Sequence, residues 1–294
     1  MLLFEDKYLQ PRTEIIQEES EFSILKKYNF DAIIVGSDQV WRKAYNDDRK
    51  PNFFLNFITD KKIKKIAYAA SFGLDTWDYS NKETETYSAL LKRFDAVSVR
   101  EDSGIKLCKQ YMGVQANLAI DPTLLLNKKD YLALVDIENE PKSKGELLFY
   151  LLSPNTDKLQ MVETISSTLK LQAFSVNRNS NDINLPISDL IFPSVTSWLK
   201  GFQDAQFVVT DSFHGSVFSI LFNIPFLVCS NVSTGNARFK TLLKTFELEN
   251  RFIQSPDDLN SSVLTEKIDW ERVNAILKIK REEAYDFLIR SIDN

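Results

Sequence analysis

The sequence predicts an α/β protein with two Rossmann-like domains that face a common cleft. Three observations support this class. Short apolar runs typical of buried strands alternate with helical stretches, as they do around parallel sheets. Several of these runs end in polar residues, and parallel sheets bind their ligands at the carboxyl ends of the strands. The alternation restarts after a polar, turn-rich stretch at residues 138–145, which indicates a linker.

The domain boundaries follow from this restart. We predict an N-terminal domain over residues 1–138 and a C-terminal domain over residues 146–265. A final helical segment over residues 266–294 is expected to pack back on the N-terminal domain. A chain of 294 residues is long enough for two domains of ordinary size.

The composition argues against several classes of function. The formal net charge is −5 and there is no long basic run, so we expect no nucleic-acid partner. Cys108 and Cys229 lie far apart in apolar surroundings, which is typical of reduced core residues. With one histidine and no cysteine pair, no metal site is predicted.

No signal peptide is evident, because Glu5 and Asp6 follow the first four residues directly. The longest apolar stretch, residues 217–229, contains Asn223 and Pro225 and is too short to span a bilayer. We therefore expect a cytoplasmic protein without a transmembrane segment.

Four buried strands are predicted in the first half, each followed by polar side chains. They cover residues 31–36, 65–70, 96–99 and 117–120, and the polar residues after them are Ser37 and Asp38, Ser71, Arg100 and Asp121, respectively. Because carboxyl ends of parallel strands meet at one edge, these side chains are candidates for a ligand site. Arg100 suits a carboxylate or phosphate, and the alternative is an ion pair with Glu101 or another surface acid. Ser37 and Asp38 also fit an ordinary turn.

The second half repeats the alternation of strands and helices. It predicts strands over residues 147–152, 172–176 and 225–228, a strand, turn and helix within residues 207–222, helices over 156–169, 195–202, 236–246 and 268–292, and a polar loop over 177–185. Arg238 falls in the first turn of the helix over 236–246. It reaches either an anion or only the core surface, and both interpretations stay open.

The turn after residues 207–210 is the sharpest chemical signal. Asp211 and Ser212 are residue types that cap helices, so a strand, a tight turn and a helix are predicted. Such a turn presents backbone N–H groups and the positive end of a helix dipole to an anion. His214, the only histidine, lies here. From position alone, a catalytic and a purely structural histidine are about equally expected.

Common catalytic and nucleotide-binding motifs are missing. The sequence contains neither GxGxxG nor GxxxxGK[ST], the usual cradles for dinucleotides and triphosphates. It also lacks GxSxG, and the spacing of Ser212 and His214 does not fit an obvious catalytic triad.

Five blocks, in order, resemble the polysaccharide pyruvyl transferase family. They are DAIIVGSDQVW at residues 31–41, AYAASFG at 67–73, VSVRE at 97–101, DPTLLL at 121–126 and TDSFHG at 210–215. Residues 236–243 resemble a weaker sixth block. Together the blocks extend over roughly residues 30 to 250.

This resemblance implies a fold similar to GT-B glycosyltransferases and transfer of a pyruvyl group from phosphoenolpyruvate to sugar hydroxyls. The product would be a cyclic ketal on a cell-surface or exopolysaccharide precursor. It implies that His214 is the general acid or binds phosphate, and that Arg100 holds the anionic end of the donor. The remaining substrate-binding candidates are Ser37, Asp38, Ser71, Asp121, Ser212, Gly215 and Arg238, with the first three on the acceptor side.

The resemblance also sets expectations about partners. Phosphoenolpyruvate is a donor substrate, so no separate cofactor is expected. The acceptor would be a sugar or a lipid-linked saccharide, and association with the inner face of the membrane stays open.

The chain departs from the family pattern in two places. Many ketal-forming members carry arginine two residues before the histidine, where this chain has Ser212. The family also usually begins with a further strand and a glycine turn, so the first βα unit is expected to be missing or remodelled. Two alternatives therefore remain: a GT-B-type glycosyltransferase that uses a nucleotide sugar, and a non-catalytic sugar-binding protein of a polysaccharide assembly system.

Overall fold

Two parallel β-sheets organise the chain in a computed structural model that describes residues 2–45, 49–177, 192–231 and 235–293. The four-stranded unit comprises Pro11–Leu125, Ser233–Leu242 and Leu277–Asn294. The five-stranded unit comprises Met1–Gln10, Leu126–Val232 and Leu243–Ile276. The predicted α/β class with two parallel sheets is confirmed. The predicted polar loop beyond Asn177 lies outside the described residues.

The four-stranded unit keeps its strands in sequence order. Its strands are β1 (Ala32–Val35), β2 (Lys64–Ala70), β3 (Ala96–Val99) and β4 (Asn117–Leu118), all parallel. Helix α1 (Leu2–Tyr8), from the other unit, and a 3-10 helix at Glu19–Tyr28 precede β1. Helices α2 (Asn81–Leu91) and α3 (Asp102–Leu107) connect β2 to β3 and β3 to β4.

Aromatic packing fills the core of the four-stranded unit. Trp41 is fully buried, stacks on Phe54 at 5.2 Å between ring centroids and contacts Phe72 at 5.4 Å. Its indole N–H donates to the carbonyl of Phe53 at 2.9 Å, so the buried polar atom is satisfied. This packing fixes the loop after β1, which carries Ser37 and Asp38.

The five-stranded unit contains the remaining strands and most of the helices. From Lys128 onward the strands and α-helices are, in chain order, α4 (Lys128–Glu138), β5 (Leu147–Tyr150), α5 (Thr156–Leu169), β6 (Ala173–Ser175), α6 (Val195–Asp204), β7 (Phe207–Thr210), α7 (Phe213–Phe222), β8 (Phe226–Cys229), α8 (Ala237–Thr245), β9 (Phe252–Ile253), α9 (Ser261–Thr265) and α10 (Trp270–Asp293). Helices α8 and α10 each extend into the four-stranded unit. The strand order is β6-β5-β7-β8-β9, and all neighbours are parallel. Every residue of β7 is buried, which explains its unbroken apolar run.

Helix α4 places the division between units earlier than the linker predicted at residues 138–145. Its Tyr131 ring packs edge-on against Phe218 with centroids 4.9 Å apart, and the Lys128 ammonium donates to the carbonyl of Phe222 at 3.0 Å. These contacts hold α4 on the five-stranded unit, so the chain passes from one unit to the other between Leu125 and Leu126.

The second part of α10 belongs to the four-stranded unit. The ring of Phe287 lies 6.2 Å from that of Tyr68, and the Tyr285 hydroxyl donates to the carbonyl of Leu125 at 3.0 Å. The C-terminal end of α10 therefore packs on strands formed at the start of the chain. None of the helices in the described ranges combines the length and apolar character needed to cross a membrane.

Candidate functional site

The five-stranded sheet has its topological switch point between β5 and β7. The chain moves from β5 outward to β6 on one side, and then returns to place β7 on the other side of β5. In open parallel sheets, ligands bind at the carboxyl ends of the two strands on either side of such a point. The turn that carries His214 follows β7, so it lies at the position where a ligand is expected.

Asp211 joins the two loops at this switch point. Its fully buried carboxylate accepts hydrogen bonds from the N–H groups of Leu152 at 2.5 Å and Ser153 at 3.1 Å, in the loop after β5. The Lys158 ammonium, from the first turn of α5, lies 2.6 Å from the same carboxylate. The interpretation of Asp211 as a capping residue is therefore wrong, because its carboxylate is bonded to the neighbouring loop.

Ser212 alone caps helix α7. Its backbone is extended, and its hydroxyl oxygen accepts a hydrogen bond from the N–H of Gly215 at 3.3 Å. Thr210 supports the same turn, since its hydroxyl donates to Tyr150 O at 2.7 Å and accepts from Ser212 N at 3.0 Å. Gly215 is required here because an added Cβ would overlap the Thr210 side chain. Glycine therefore lets α7 begin directly against β7.

His214 is the second residue of helix α7. It is half-buried, whereas Phe213 beside it is 5% exposed, and the two rings meet edge-to-face with centroids 5.7 Å apart. An imidazole in this position lies near backbone N–H groups of the first turn and the positive end of the helix dipole. Histidine is the side chain that most often acts as general acid or base in enzymes, so this position suits proton transfer to a bound anion.

Arg100 is the centre of the four-stranded unit's candidate site. Its guanidinium is 1% exposed and donates through Nη1 to Asp121 Oδ2 at 2.8 Å and through Nη2 to Asp38 Oδ1 at 2.7 Å. Ser37 completes this arrangement, because its hydroxyl lies 3.3 Å from Nη1 and donates to Asp121 at 3.0 Å. The carboxyl ends of β1 and β3 and the segment after β4 thus meet at one guanidinium.

Glu101 organises the loop after β2. One carboxyl oxygen, Oε1, accepts hydrogen bonds from Ser71 Oγ at 3.0 Å, Phe72 N at 2.8 Å and Gly73 N at 3.3 Å. Burial raises the pKa of Glu101 above its ordinary value, although the charge of Arg100 and the hydrogen bonds act against this shift. Ser71 therefore contacts Glu101 in this structure, and both residues are fully buried.

Arg238, in the first turn of α8, belongs to this same unit. It is 4% exposed, and burial lowers the pKa of its guanidinium to about 10. The positive charge of Arg100 lowers that pKa further, whereas the carboxyls of Glu101 and Asp38 raise it. Two buried guanidinium groups therefore influence each other at the carboxyl edge of one sheet, which is an arrangement suited to binding a carboxylate or phosphate.

The structure divides the predicted site residues between the units. Ser37, Asp38, Ser71, Arg100, Asp121 and Arg238 are in the four-stranded unit, and Ser212, His214 and Gly215 are in the five-stranded unit. Sequence reasoning missed the contributions of Glu101, Lys158 and Thr210. Glu101 could have been found from its position directly after Arg100, at the end of a predicted strand. Nothing in the local sequence indicates that Lys158 pairs with Asp211.

Metal ligands are not grouped in the part of the chain that the structure describes. Within those residues, no three His, Cys, Asp or Glu side chains come together in a way that could hold a metal ion. Arg100 and Arg238 supply fixed positive charge in the four-stranded unit.

Comparison with known proteins relates the chain to one family. A family model described as polysaccharide pyruvyl transferase matches residues 4–233. A search of curated proteins found no significant match.

Solved structures that resemble the chain include three proteins of low identity. A glycosyltransferase from Rickettsia africae ESF-5 is 12% identical, with 97% of this chain and 82% of that chain covered and a TM-score of 0.47. The glycotransferase of kitacinnamycin is 14% identical, with 96% and 84% covered and a TM-score of 0.40. The N-terminal domain of Candida albicans trehalose-6-phosphate phosphatase is 10% identical, with 98% and 81% covered and a TM-score of 0.41.

Proposed function

Because this chain belongs to the polysaccharide pyruvyl transferase family, we propose that it transfers a pyruvyl group from phosphoenolpyruvate to a sugar of a cell-surface or exopolysaccharide precursor. Family membership indicates a transferase with a saccharide acceptor. The observation that carries the proposal is the position of His214 at the switch point of the five-stranded sheet. It is the only histidine of the chain, and it lies where this fold class binds ligands.

The proposed reaction needs a proton donor beside an anion. Protonation of the methylene carbon of phosphoenolpyruvate makes its C2 electrophilic, and one sugar hydroxyl attacks that carbon. A second hydroxyl of the same sugar then displaces phosphate and closes a cyclic ketal. One hydroxyl proton replaces the proton given to the methyl group, the other leaves with phosphate, and one inorganic phosphate is released per ketal. His214 is the proposed general acid.

The turn around His214 supports this role physically. The first turn of α7 directs backbone N–H groups and the positive end of its dipole toward bound phosphate, which favours the departing anion. Ser212 stands where many ketal-forming members have arginine, and its hydroxyl caps the helix. The phosphate in this chain would therefore depend more on the helix terminus than on a side-chain cation at position 212.

The four-stranded unit supports a second set of proposed contacts. Asp121 is 2% exposed and holds Arg100 together with Ser37, so we propose that these two residues position the guanidinium. Arg100 and Arg238 are the proposed partners of carboxylate or phosphate groups. Because phosphoenolpyruvate is a cytoplasmic metabolite, we propose that the reaction takes place on the cytoplasmic side, at the membrane face when the acceptor is lipid-linked.

The decisive experiment measures phosphate release from phosphoenolpyruvate in the presence of a panel of saccharide acceptors. We expect the unmodified chain to release phosphate only when an acceptor with two suitably spaced hydroxyls is present. His214→Ala and His214→Gln should both reduce turnover by about 10²- to 10⁴-fold, because each removes the acid. Ser219→Ala, one further turn along the same helix, should leave turnover unchanged. Full activity of both His214 variants would refute the assignment.

The two alternatives predict different outcomes with the same protein. A glycosyltransferase would be stabilised thermally by a nucleotide or nucleotide sugar and would transfer sugar without phosphoenolpyruvate. A non-catalytic sugar-binding protein would be stabilised by the saccharide alone and would show no turnover with either donor. Either result would replace the proposed reaction.

A further inference from the structure

The two arms of the Arg100 guanidinium have different surroundings. Nη1 is held by Asp121, whose side chain is 1% exposed and is itself bonded to the N–H of Thr123 at 3.1 Å and to its hydroxyl at 2.8 Å. Nη2 is held by Asp38, whose side chain is 65% exposed although it contacts a buried cation. The two carboxylates therefore differ in burial, because the Asp121 side chain is enclosed and the Asp38 side chain is largely exposed.

Asp38 lies just outside β1, where its backbone forms an isolated parallel bridge with Ala70 at the end of β2. Its φ is 72°, in the left-handed region, and the oxygen that contacts Arg100 also accepts from the N–H of Gln39 at 2.8 Å. Because the Asp38 side chain is 65% exposed, water can solvate its carboxylate when it leaves Arg100, which lowers the cost of breaking this pair relative to a pair buried on both sides. A rotation of this one side chain would uncover Nη2 of a guanidinium that Asp121 and Ser37 keep in place.

We propose that Asp38 is a displaceable placeholder, whose carboxylate occupies the position on Arg100 that a carboxylate or phosphate oxygen of the donor takes on binding. This inference rests on the proposed function, in which Arg100 receives the anionic donor. It gives Asp38 a role different from the acceptor contact expected from sequence. Asp38 then competes with the donor, and the strength of that competition sets the donor affinity.

Arg238 explains why an anion is needed at this place. Arg238 is 4% exposed, and the nearby charge of Arg100 disfavours its protonated form while the carboxyls of Glu101 and Asp38 favour it. Asp38 is thus one of the carboxylates that compensate the two buried guanidinium groups, and its side chain is largely exposed. When its carboxylate swings away, a ligand anion restores that compensation, which selects carboxylates and phosphates over neutral molecules.

Two substitutions remove the placeholder charge with little effect on the backbone. Asparagine and glycine both tolerate the left-handed conformation of position 38, so Asp38→Asn and Asp38→Gly should fold normally. Asp75→Asn, at an exposed position of the same unit, makes the same change in net charge and serves as the control. Binding of phosphoenolpyruvate and of inorganic phosphate to the full chain is then measured by calorimetry.

We expect both Asp38 variants to lower the Kd of each anion by about fivefold, and Asp75→Asn to leave it unchanged. A second readout separates displacement from a long-range charge effect. Binding of phosphoenolpyruvate to the unmodified chain should accelerate hydrogen exchange at the Gln39 amide, because this N–H loses its acceptor when Asp38 moves.

Several results would overturn the placeholder role. They are an unchanged or higher Kd in the Asp38 variants, or slower exchange at Gln39 on binding. If those variants also raise the KM for the saccharide, the acceptor contact replaces the placeholder. The proposed function fails independently: tighter phosphate binding in the variants with no turnover of phosphoenolpyruvate would keep the placeholder and reject the reaction.

Discussion

Replacing Lys158 with methionine tests whether the Asp211 ion pair fixes the turn that carries His214. The ammonium lies 2.6 Å from the carboxylate, the Lys158 side chain is 11% exposed and the Asp211 side chain is fully buried. Methionine keeps most of the aliphatic volume and removes the charge. The Asp211 carboxylate then stays buried without the Lys158 charge. It keeps its hydrogen bonds from the N–H groups of Leu152 and Ser153.

Breaking one side of a buried ion pair costs about 3–5 kcal/mol, because the remaining charge stays desolvated. Two backbone N–H groups still stabilise the Asp211 carboxylate, so the lower end of that range, about 3 kcal/mol, is expected for Lys158→Met. This corresponds to roughly a hundredfold increase in the opening equilibrium of the loop after β5.

Hydrogen exchange read at the Leu152 and Ser153 amides is the direct assay, since both donate to Asp211. We expect exchange there to accelerate by roughly a hundredfold, together with a lower urea midpoint for the five-stranded unit. The double variant Lys158→Met/Asp211→Asn should lose less stability than the sum of the single variants, by about 1–3 kcal/mol. Strict additivity, with unchanged exchange at both amides, would refute the ion pair as the element that fixes the turn.

Two further predictions concern buried positions of the two candidate sites. Because burial raises the pKa of Glu101 above 4.5, its contribution to stability is present at low pH and is lost as pH rises through the folded value. Glu101→Gln should therefore gain stability relative to the unmodified chain as pH rises from 4.5, and a difference in urea midpoints that does not change with pH would contradict this. Gly215→Ala should destabilise by about 1 kcal/mol or more in urea unfolding despite the higher helix propensity of alanine, because the new Cβ overlaps Thr210; a stabilised variant would show that the helix can shift.

Much of the fold was predictable because its strands are unbroken apolar runs. The helix at 156–169 was predicted with the bounds that the structure has. The order strand, turn and helix predicted within residues 207–222 is also present. Helix α4 was missed because Val135 is its one buried residue, so the apolar periodicity that marks an amphipathic helix is weak. The division between units was consequently predicted too late in the chain.

The candidate sites were predictable in their residue types and less so in their contacts. Strand-end position identified Arg100 and Asp121, because parallel strands bring such residues to one edge. The same rule could not show that Arg100 is bonded to both Asp38 and Asp121, or that Asp211 takes its cation from a helix 53 residues earlier. Those pairings depend on loop conformation, which local sequence determines weakly.

The interleaving of the two units along the chain has a consequence for biosynthesis. The four-stranded unit needs residues 277–294, which are translated more than 150 residues after its first four strands, and Arg238 is supplied by a stretch that follows the whole β5–β8 region. Its first three strands are therefore translated long before their final packing partners exist. We expect nascent chains of this protein to depend on chaperones that shield apolar surface until residues 277–294 have been translated.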